Sequence, residues 1–267
     1  MKMKFSIITV SFNQAKYLEE TIRSVIEQDY PDIEYIVVDP GSTDGSREII
    51  ERYRGKVSKI IFEADRGAAD GLNKGFAQAS GEIYGFLNSD DVLLPGAISR
   101  VAAHFRARPD TEILMGHEWI IDSEGRHLRN AYTDRFNPRA FAYGSGIIAQ
   151  QSTFFRSGLF KKTKGFDVHN SIAWDAELFV DLLLATEKQL YVDDFFGAFR
   201  IHDDSISGGR KAELRDQNCA YELARFERIM GRRWRRSDYL FWFYYRVRKY
   251  SLKPRALMEW LRYGSND

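Results

Sequence analysis

The sequence holds a single cysteine, Cys219, in 267 residues. No internal disulfide can form, and at this size none is needed. Cys219 reads as a small apolar or surface residue rather than a nucleophile. Charge of one sign is also missing. Lys and Arg number 39 against 38 Asp and Glu, a net charge of +1, so nothing global argues for nucleic acid. No apolar run approaches the length of a bilayer span. The opening Met1-Lys2-Met3-Lys4 leads into an apolar run too short and too polar for a signal peptide, so a cytoplasmic chain is expected. Repeats and low-complexity segments are absent. Two nucleotide motifs are absent as well. The segment Gly41-Ser42-Thr43-Asp44-Gly45 lacks Gly-Lys-Ser/Thr, and no Gly-x-Gly-x-x-Gly follows the first strand. A dinucleotide cofactor is therefore not expected.

What is present is organised around residues 81–95. Ile83, Tyr84, Phe86 and Leu87 make a buried strand, which runs into Asn88-Ser89-Asp90-Asp91 and then Pro95. Adjacent carboxylates at the carboxyl edge of an open α/β sheet stand where such sheets bind ligands. They also need neutralising, which a hard divalent cation does well. A plain surface turn is the alternative. Around this stretch strands and helices alternate: strand 5–10, with Asn13 as a cap for helix 15–28, strand 33–39, a helix through Ile49, Ile50 and Tyr53, strand 59–62 and helix 67–80. That alternation predicts a parallel sheet. A second strand ends on Asp39, and a third runs into Glu63-Ala64-Asp65-Arg66-Gly67. Repeated acids at one sheet edge match the needs of a nucleoside diphosphate: acceptors for a base and a ribose, and a metal for the phosphates.

After a helix through Ile98, Val101 and Phe105 the pattern changes. Segments 113–121 and 126–132 flank Asp122-Ser123-Glu124-Gly125, a hairpin signal, so the second half should be mixed. Gln150-Gln151-Ser152-Thr153 is polar where a core strand should be apolar, which suits either a hydroxyl-rich ligand or an edge strand. Trp174, Leu178, Phe179, Leu182 and Leu183 mark a helix with Asp175 near its start. Asp175 could be a first-turn charge favouring the helix dipole or a general base. A strand at 190–193 precedes His202, readable as a metal ligand, a phosphate contact or a structural hydrogen-bonder. Segments 134–146 and 205–211 are expected to shape the pocket. From Arg228 to Arg255 there are ten Lys/Arg and one acid, interleaved with Trp234, Tyr239, Phe241, Trp242, Phe243, Tyr244, Tyr245 and Tyr250. This tail, 228–263, fits domain packing, a homo-oligomer face or peripheral contact with the inner face of a membrane.

In order and spacing, Ser6–Asn13, Val37–Ser46, Asn73-Lys74-Gly75, Gly81–Asp91, Gly165-Phe166-Asp167 and the Asp175 helix resemble the family 2 glycosyltransferases of the GT-A fold, over about residues 4–207. The resemblance implies an α/β fold with a mixed, mostly parallel sheet flanked by helices, followed by a helical basic-aromatic tail. The implied domains are a catalytic domain at 1–207, with a nucleotide-sugar half at 1–112 and an acceptor half at 113–207, and an extension at 208–267. It implies an inverting transfer from a nucleotide-sugar, a UDP-sugar being favoured, to a saccharide or lipid-linked saccharide in cell-surface glycan assembly. Asp175 matches the catalytic base and should not have a strongly raised pKa. Asp91 matches the ligand for Mn²⁺ or Mg²⁺, with His202 a further candidate. Thr9, Ser11, Asn13, Asp39, Asp65, Asn73, Lys74 and Asp90 fall to the donor, and Gln151, Ser152 and Trp174 to the acceptor. Departures are Pro40 and Asn88 where many relatives carry acids, Leu72 for Arg, Trp174 for the acid before the base, and Asp181 for a helix Arg. A non-catalytic nucleotide-sugar-binding subunit and a nucleotidyltransferase are the competing expectations.

Overall fold

The computed structural model describes residues 3–203, 215–251 and 258. The expected pocket segment 205–211 and the tail residues 252–257 and 259–263 lie outside the described residues. The chain forms two compact units, Met1–Glu118 with Ala149–Phe199, and Trp119–Ile148 with Arg200–Asp267.

In the first unit, β1 (Phe5–Val10), β2 (Ile33–Val38), β3 (Lys59–Ile61) and β4 (Ile83–Asn88) pair in parallel in the order β3-β2-β1-β4. The linking segments hold α1 (Ala15–Ile26), α2 (Ser46–Arg52) and α3 (Ala68–Ala77). Strand β1 is buried at every position, which is why it reads as an apolar run rather than an alternating one. Helix α1 turns Tyr17, Leu18, Thr21, Ile22 and Val25 inward, the spacing of one helical face. Burying each of its large apolar side chains contributes about 1.5–3 kcal/mol.

Beyond β4 the sheet turns mixed. A two-residue strand, β5 (Val92–Leu93), precedes α4 (Ala97–Ala107) and β6 (Ile113–Ile121). Strand β8 (Thr153–Arg156) lies antiparallel between β4 and β6, and β9 (Gln189–Arg200) follows β6 and pairs antiparallel with β5. A short α6 (Ser157–Phe160) and then α7 (Trp174–Ala185) precede β9. The sequence reading misses β5 and ends β9 at residue 193. Gly197 explains the second miss. A side-chain carbon there would stand 2.5 Å from Cβ of Gln151 and 2.7 Å from its carbonyl oxygen, so this glycine permits close packing inside a strand rather than marking a loop.

The second unit contains β7 (His127–Ala131), which pairs with β6, and α5 (Pro138–Ala142). It also contains α8 (Arg215–Met230) and α9 (Asp238–Ser251). Its core gathers Ala142, Tyr143 and Phe226 with Ile229, Met230, Trp234, Trp242 and Tyr245. Among the described residues no helix is long and apolar enough to cross a membrane.

Candidate functional site

Register places the site. Val10 pairs with Val38 on one side and with Asn88 on the other. The next residues, Ser11, Asp39 and Ser89, therefore leave the sheet in one row at its carboxyl edge, with Asp90 and Asp91 immediately after.

The first loop is tied across to the second. Asn13 adopts φ +53°, a left-handed conformation that Asn tolerates better than most residues. Its Oδ1 accepts from the N–H of Thr43 at 2.9 Å, and its own N–H donates to Ser42 Oγ at 2.8 Å. Asn13 was expected to cap α1 and does not. The donors at that helix end go to Ser46 Oγ from Gln14 N–H and to Asp44 from Ala15 N–H. Asp39 is completely buried. Its carboxylate accepts from the N–H groups of Gly41 and Ser42, from Ser42 Oγ and from Arg47 Nε. Much of its acceptor capacity thus shapes its own loop. Thr9 is buried and accepts from Tyr35 OH at 3.0 Å. Ser11 is 3% exposed, and its hydroxyl has no hydrogen-bond partner among the described residues.

Asp91 is completely buried beside half-buried Asp90. Its Oδ2 accepts from Gln151 Nε2 at 2.6 Å and from Asn88 Nδ2 at 3.3 Å. From below, Thr21 of α1 donates its hydroxyl to the carbonyls of Ser89 and Asp91 at 2.9 and 2.7 Å. The sequence reading passed over Thr21, a polar residue inside an apolar helical stripe. The polar 150–153 run suits either a ligand or an edge strand in the sequence, and the resemblance gives Gln151 and Ser152 to the acceptor. The structure folds Gln150–Ser152 into a buried 3-10 turn, and Thr153 begins β8, which is paired on both sides and is not an edge strand. Gln150 donates to the Phe86 carbonyl, Gln151 to Asp91, and Ser152 to the His117 carbonyl. Ser152 also accepts from the N–H groups of Phe196 and Gly197. Its hydroxyl, expected at the acceptor, is wholly buried and spent inside the protein.

Two further residues expected at the donor hold the scaffold. Asn73 grips the backbone of Phe166 from both ends of its amide, accepting at 3.0 Å and donating at 2.8 Å. Lys74 donates to the Ala64 carbonyl and lies 3.9 Å from Asp70. Asp65 is half-buried, accepts from Gly67 N–H, and has its carboxyl pushed up by burial.

Asp175 sits in the first turn of α7. Trp174 beside it is 7% exposed, packed against Phe86 of β4 and against Phe166. Phe179 stacks on Phe86 one turn later. Trp174 was expected at the acceptor. Here it anchors the start of α7 to the strand that leads to Asp91. Burial pushes the Asp175 carboxyl above the ordinary carboxylate value, opposed by the N–H of Ala176 at 2.7 Å. The direction is upward, where the pKa of an ionised base was expected not to be strongly raised. It also makes the carboxylate a stronger base once ionised. His202 belongs to the second unit and is buried there. Phe12 drew no notice in the sequence, yet it is 60% exposed at the sheet edge between Ser11 and Asn13.

Among the described residues no three His, Cys, Asp or Glu side chains converge. The donor set at the edge is Asp90 and Asp91, hard oxygens with Asp91 oriented by two amides. That fits a cation held by one or two carboxylates plus ligand phosphates.

The family model described as "Glycosyl transferase family 2" matches residues 6–164. An uncharacterized glycosyltransferase of Nostoc is 39% identical over 134 residues, 49% of this chain and 41% of that protein. The GalNAc(5)-diNAcBac-PP-undecaprenol beta-1,3-glucosyltransferase of Campylobacter jejuni is 28% identical over 222 residues, 77% of this chain and 68% of that protein. Staphylococcus aureus TarS 1–349 in complex with UDP-GlcNAc aligns with a TM-score of 0.64 at 21% identity, covering 97% of this chain and 79% of that one. The mannosyltransferase PcManGT of Pyrobaculum calidifontis, in complex with GDP-Man and Mn²⁺, aligns with 0.65 at 17%, covering 98% and 74%. At such identities the structures speak for the fold alone, and the expected mixed α/β GT-A fold is borne out.

Proposed function

This chain belongs to glycosyl transferase family 2, and from that premise we propose that it moves a sugar from a nucleotide-diphospho-sugar to an acceptor hydroxyl, with inversion at the anomeric carbon. The observation that carries this furthest is the row of Ser11, Asp39 and Asp90-Asp91 beyond register-matched parallel strands. A buried hydroxyl without a partner, as at Ser11, costs about 1–3 kcal/mol unless something supplies a hydrogen bond. A nucleotide would supply one. Ser11, Asp39, Asp65 and Asp90 face the nucleotide in this reading, and Phe12 offers its ring to the base. Thr9, Asn13, Asn73 and Lys74 shape the loops around it.

A UDP-sugar is favoured, in keeping with the UDP-GlcNAc complex of TarS. A saccharide or lipid-linked saccharide acceptor in cell-surface glycan assembly is in keeping with the Campylobacter relative's name. In the transfer, the acceptor oxygen forms its bond to the anomeric carbon as the bond from that carbon to the diphosphate oxygen breaks. The electron pair leaves with the diphosphate, and Asp175 takes the hydroxyl proton. A single displacement needs no covalent sugar–enzyme intermediate. Asp91 with Asp90 would hold Mn²⁺ or Mg²⁺, which when bound offsets the negative charge growing on the leaving diphosphate.

Calorimetric titration with UDP-, GDP- and dTDP-sugars, with Mn²⁺ or Mg²⁺ and with chelator, tests this in wild type and Asp91→Asn. One donor should bind with metal and lose more than about tenfold in the variant. Absence of binding for every donor under both metals would overturn the reading. Binding with neither transfer nor donor hydrolysis would point to the non-catalytic subunit instead.

A further inference from the structure

Helix α9 has two apolar faces, and the described residues of the second unit pack on one of them. Asp238, Trp242 and Tyr245, spaced four and three apart, turn inward. Asp238 is buried and paired with Arg232 at 2.7 Å, and it accepts from Tyr143 OH at 2.7 Å. Tyr245 stacks on Tyr143 at 5.5 Å between ring centres. This contact fixes the rotation of the helix. On the opposite side Leu240, Phe243, Tyr244 and Val247 follow the i, i+3, i+4, i+7 spacing of one continuous stripe. They are 76%, 64%, 53% and 48% exposed.

The flanks of that stripe are basic. At 100° per residue, Arg246 and Arg248 fall on its two borders, and both are exposed, as are Arg233, Arg235 and Arg236 in the approach to the helix. Arg246 lies over the Trp242 ring at 4.5 Å, extended along the helix. The segment 231–251 contains one acid, Asp238, and its charge is spent on Arg232. An outward apolar stripe bordered by guanidinium groups that no described acid pairs with is the layout of a helix that lies in a bilayer interface. The apolar side chains enter the acyl boundary, and the arginines reach back to anionic headgroups. A two-fold contact with a second copy fits worse. The same patch on both partners would bring the arginines of one against those of the other, and like charges so placed repel.

We infer that α9 is a docking helix for an anionic lipid surface, seated through Leu240, Phe243, Tyr244 and Val247 and held by Arg246 and Arg248. The inference stands on this helix alone and does not depend on the transfer chemistry.

The test is vesicle flotation of the full chain with phosphatidylcholine vesicles, with and without phosphatidylglycerol, alongside sedimentation to read the oligomeric state. Wild type should float with the anionic vesicles, not with the neutral ones, and should lose binding as salt rises. Leu240→Ser/Phe243→Ser should abolish flotation. Arg246→Gln and Arg248→Gln should each weaken it roughly fivefold. All four positions are exposed, so unchanged thermal melts are expected, and nucleotide-sugar binding in solution should not change. Failure of wild type to float, or equal flotation with both vesicle types, overturns the inference. So does a dimer that Leu240→Ser/Phe243→Ser converts to monomer with no vesicle binding. Loss of donor binding in wild type would count against the transferase reading and leave this one intact.

Discussion

Glu34 and Asp175 are both carboxylates set into the first unit, and the protein moves them in opposite directions. Burial alone would push both up. Around Glu34 that is more than offset. Ser6 Oγ, the Ser80 N–H and the Ser80 hydroxyl donate at 2.6, 2.7 and 2.8 Å, and Lys4 and Lys59 approach to 3.4 Å, holding its pKa at about 2. Asp175 accepts from the N–H of its own neighbour Ala176, burial wins, and its pKa rises. One group is saturated with donors and ties β1 and β2 to the segment that precedes β4, at the amino edge of the sheet. The other heads a helix anchored to β4 by Trp174. Donors decide the direction at Glu34 and burial decides it at Asp175: a carboxylate surrounded by donors is kept as a charge, and one short of them is kept as a base.

The largest expected effect falls on the second member of this pair. Asp175→Asn should lower the transfer rate by about 10²- to 10⁴-fold while donor affinity, read by calorimetry, stays at the wild-type level. The same substitution should stabilise the fold at neutral pH. A raised folded-state pKa means the native protein binds the proton more tightly than the unfolded chain does. Its stabilising effect is present at low pH and lost as pH rises through the folded pKa. The melting-temperature gain of Asp175→Asn should therefore grow with pH across that value.

Glu34→Gln should do the reverse, costing on the order of 2–3 kcal/mol in urea unfolding at neutral pH and leaving turnover per folded molecule unchanged. The wild-type contribution is present above the unfolded-state value near 4.5 and lost as pH falls towards about 2. The variant's acid unfolding should be flatter across that window.

Gln151→Leu removes the 2.6 Å amide contact to Asp91 and should weaken metal activation by about ten- to a hundredfold in a Mn²⁺ titration of turnover. The smallest effect belongs to Asn73→Ala, which frees the Phe166 backbone. A loss of about 1–2 kcal/mol in stability is expected, with donor affinity nearly unchanged.

Much of the parallel half was legible in the sequence because its strands are apolar runs and its helices keep a 3.6-residue period. The acids that end those strands were legible too, since a carboxylate at a sheet edge is conspicuous. Polar residues that serve other protein groups were harder to read. Thr21, Gln151, Ser152 and Asn73 are hydrogen-bonding types whose partners lie 60 to 93 positions away for the contacts that matter at the site, apart from Ser152, whose partners are 35 to 45 away. Nothing local separates such a brace from a ligand contact. Strand β5 was missed because two residues carry no period, and Gly197 misled because close backbone approach and a turn call for the same residue.

The most direct test of the account is the pH dependence of single-turnover transfer by the wild-type chain with its identified donor. The rate should fall on the acid side along a one-proton limb centred above the ordinary carboxylate value, because protonated Asp175 cannot accept the hydroxyl proton. A flat profile, or a limb at the value of an unperturbed carboxylate, would contradict the assignment of Asp175 as the base.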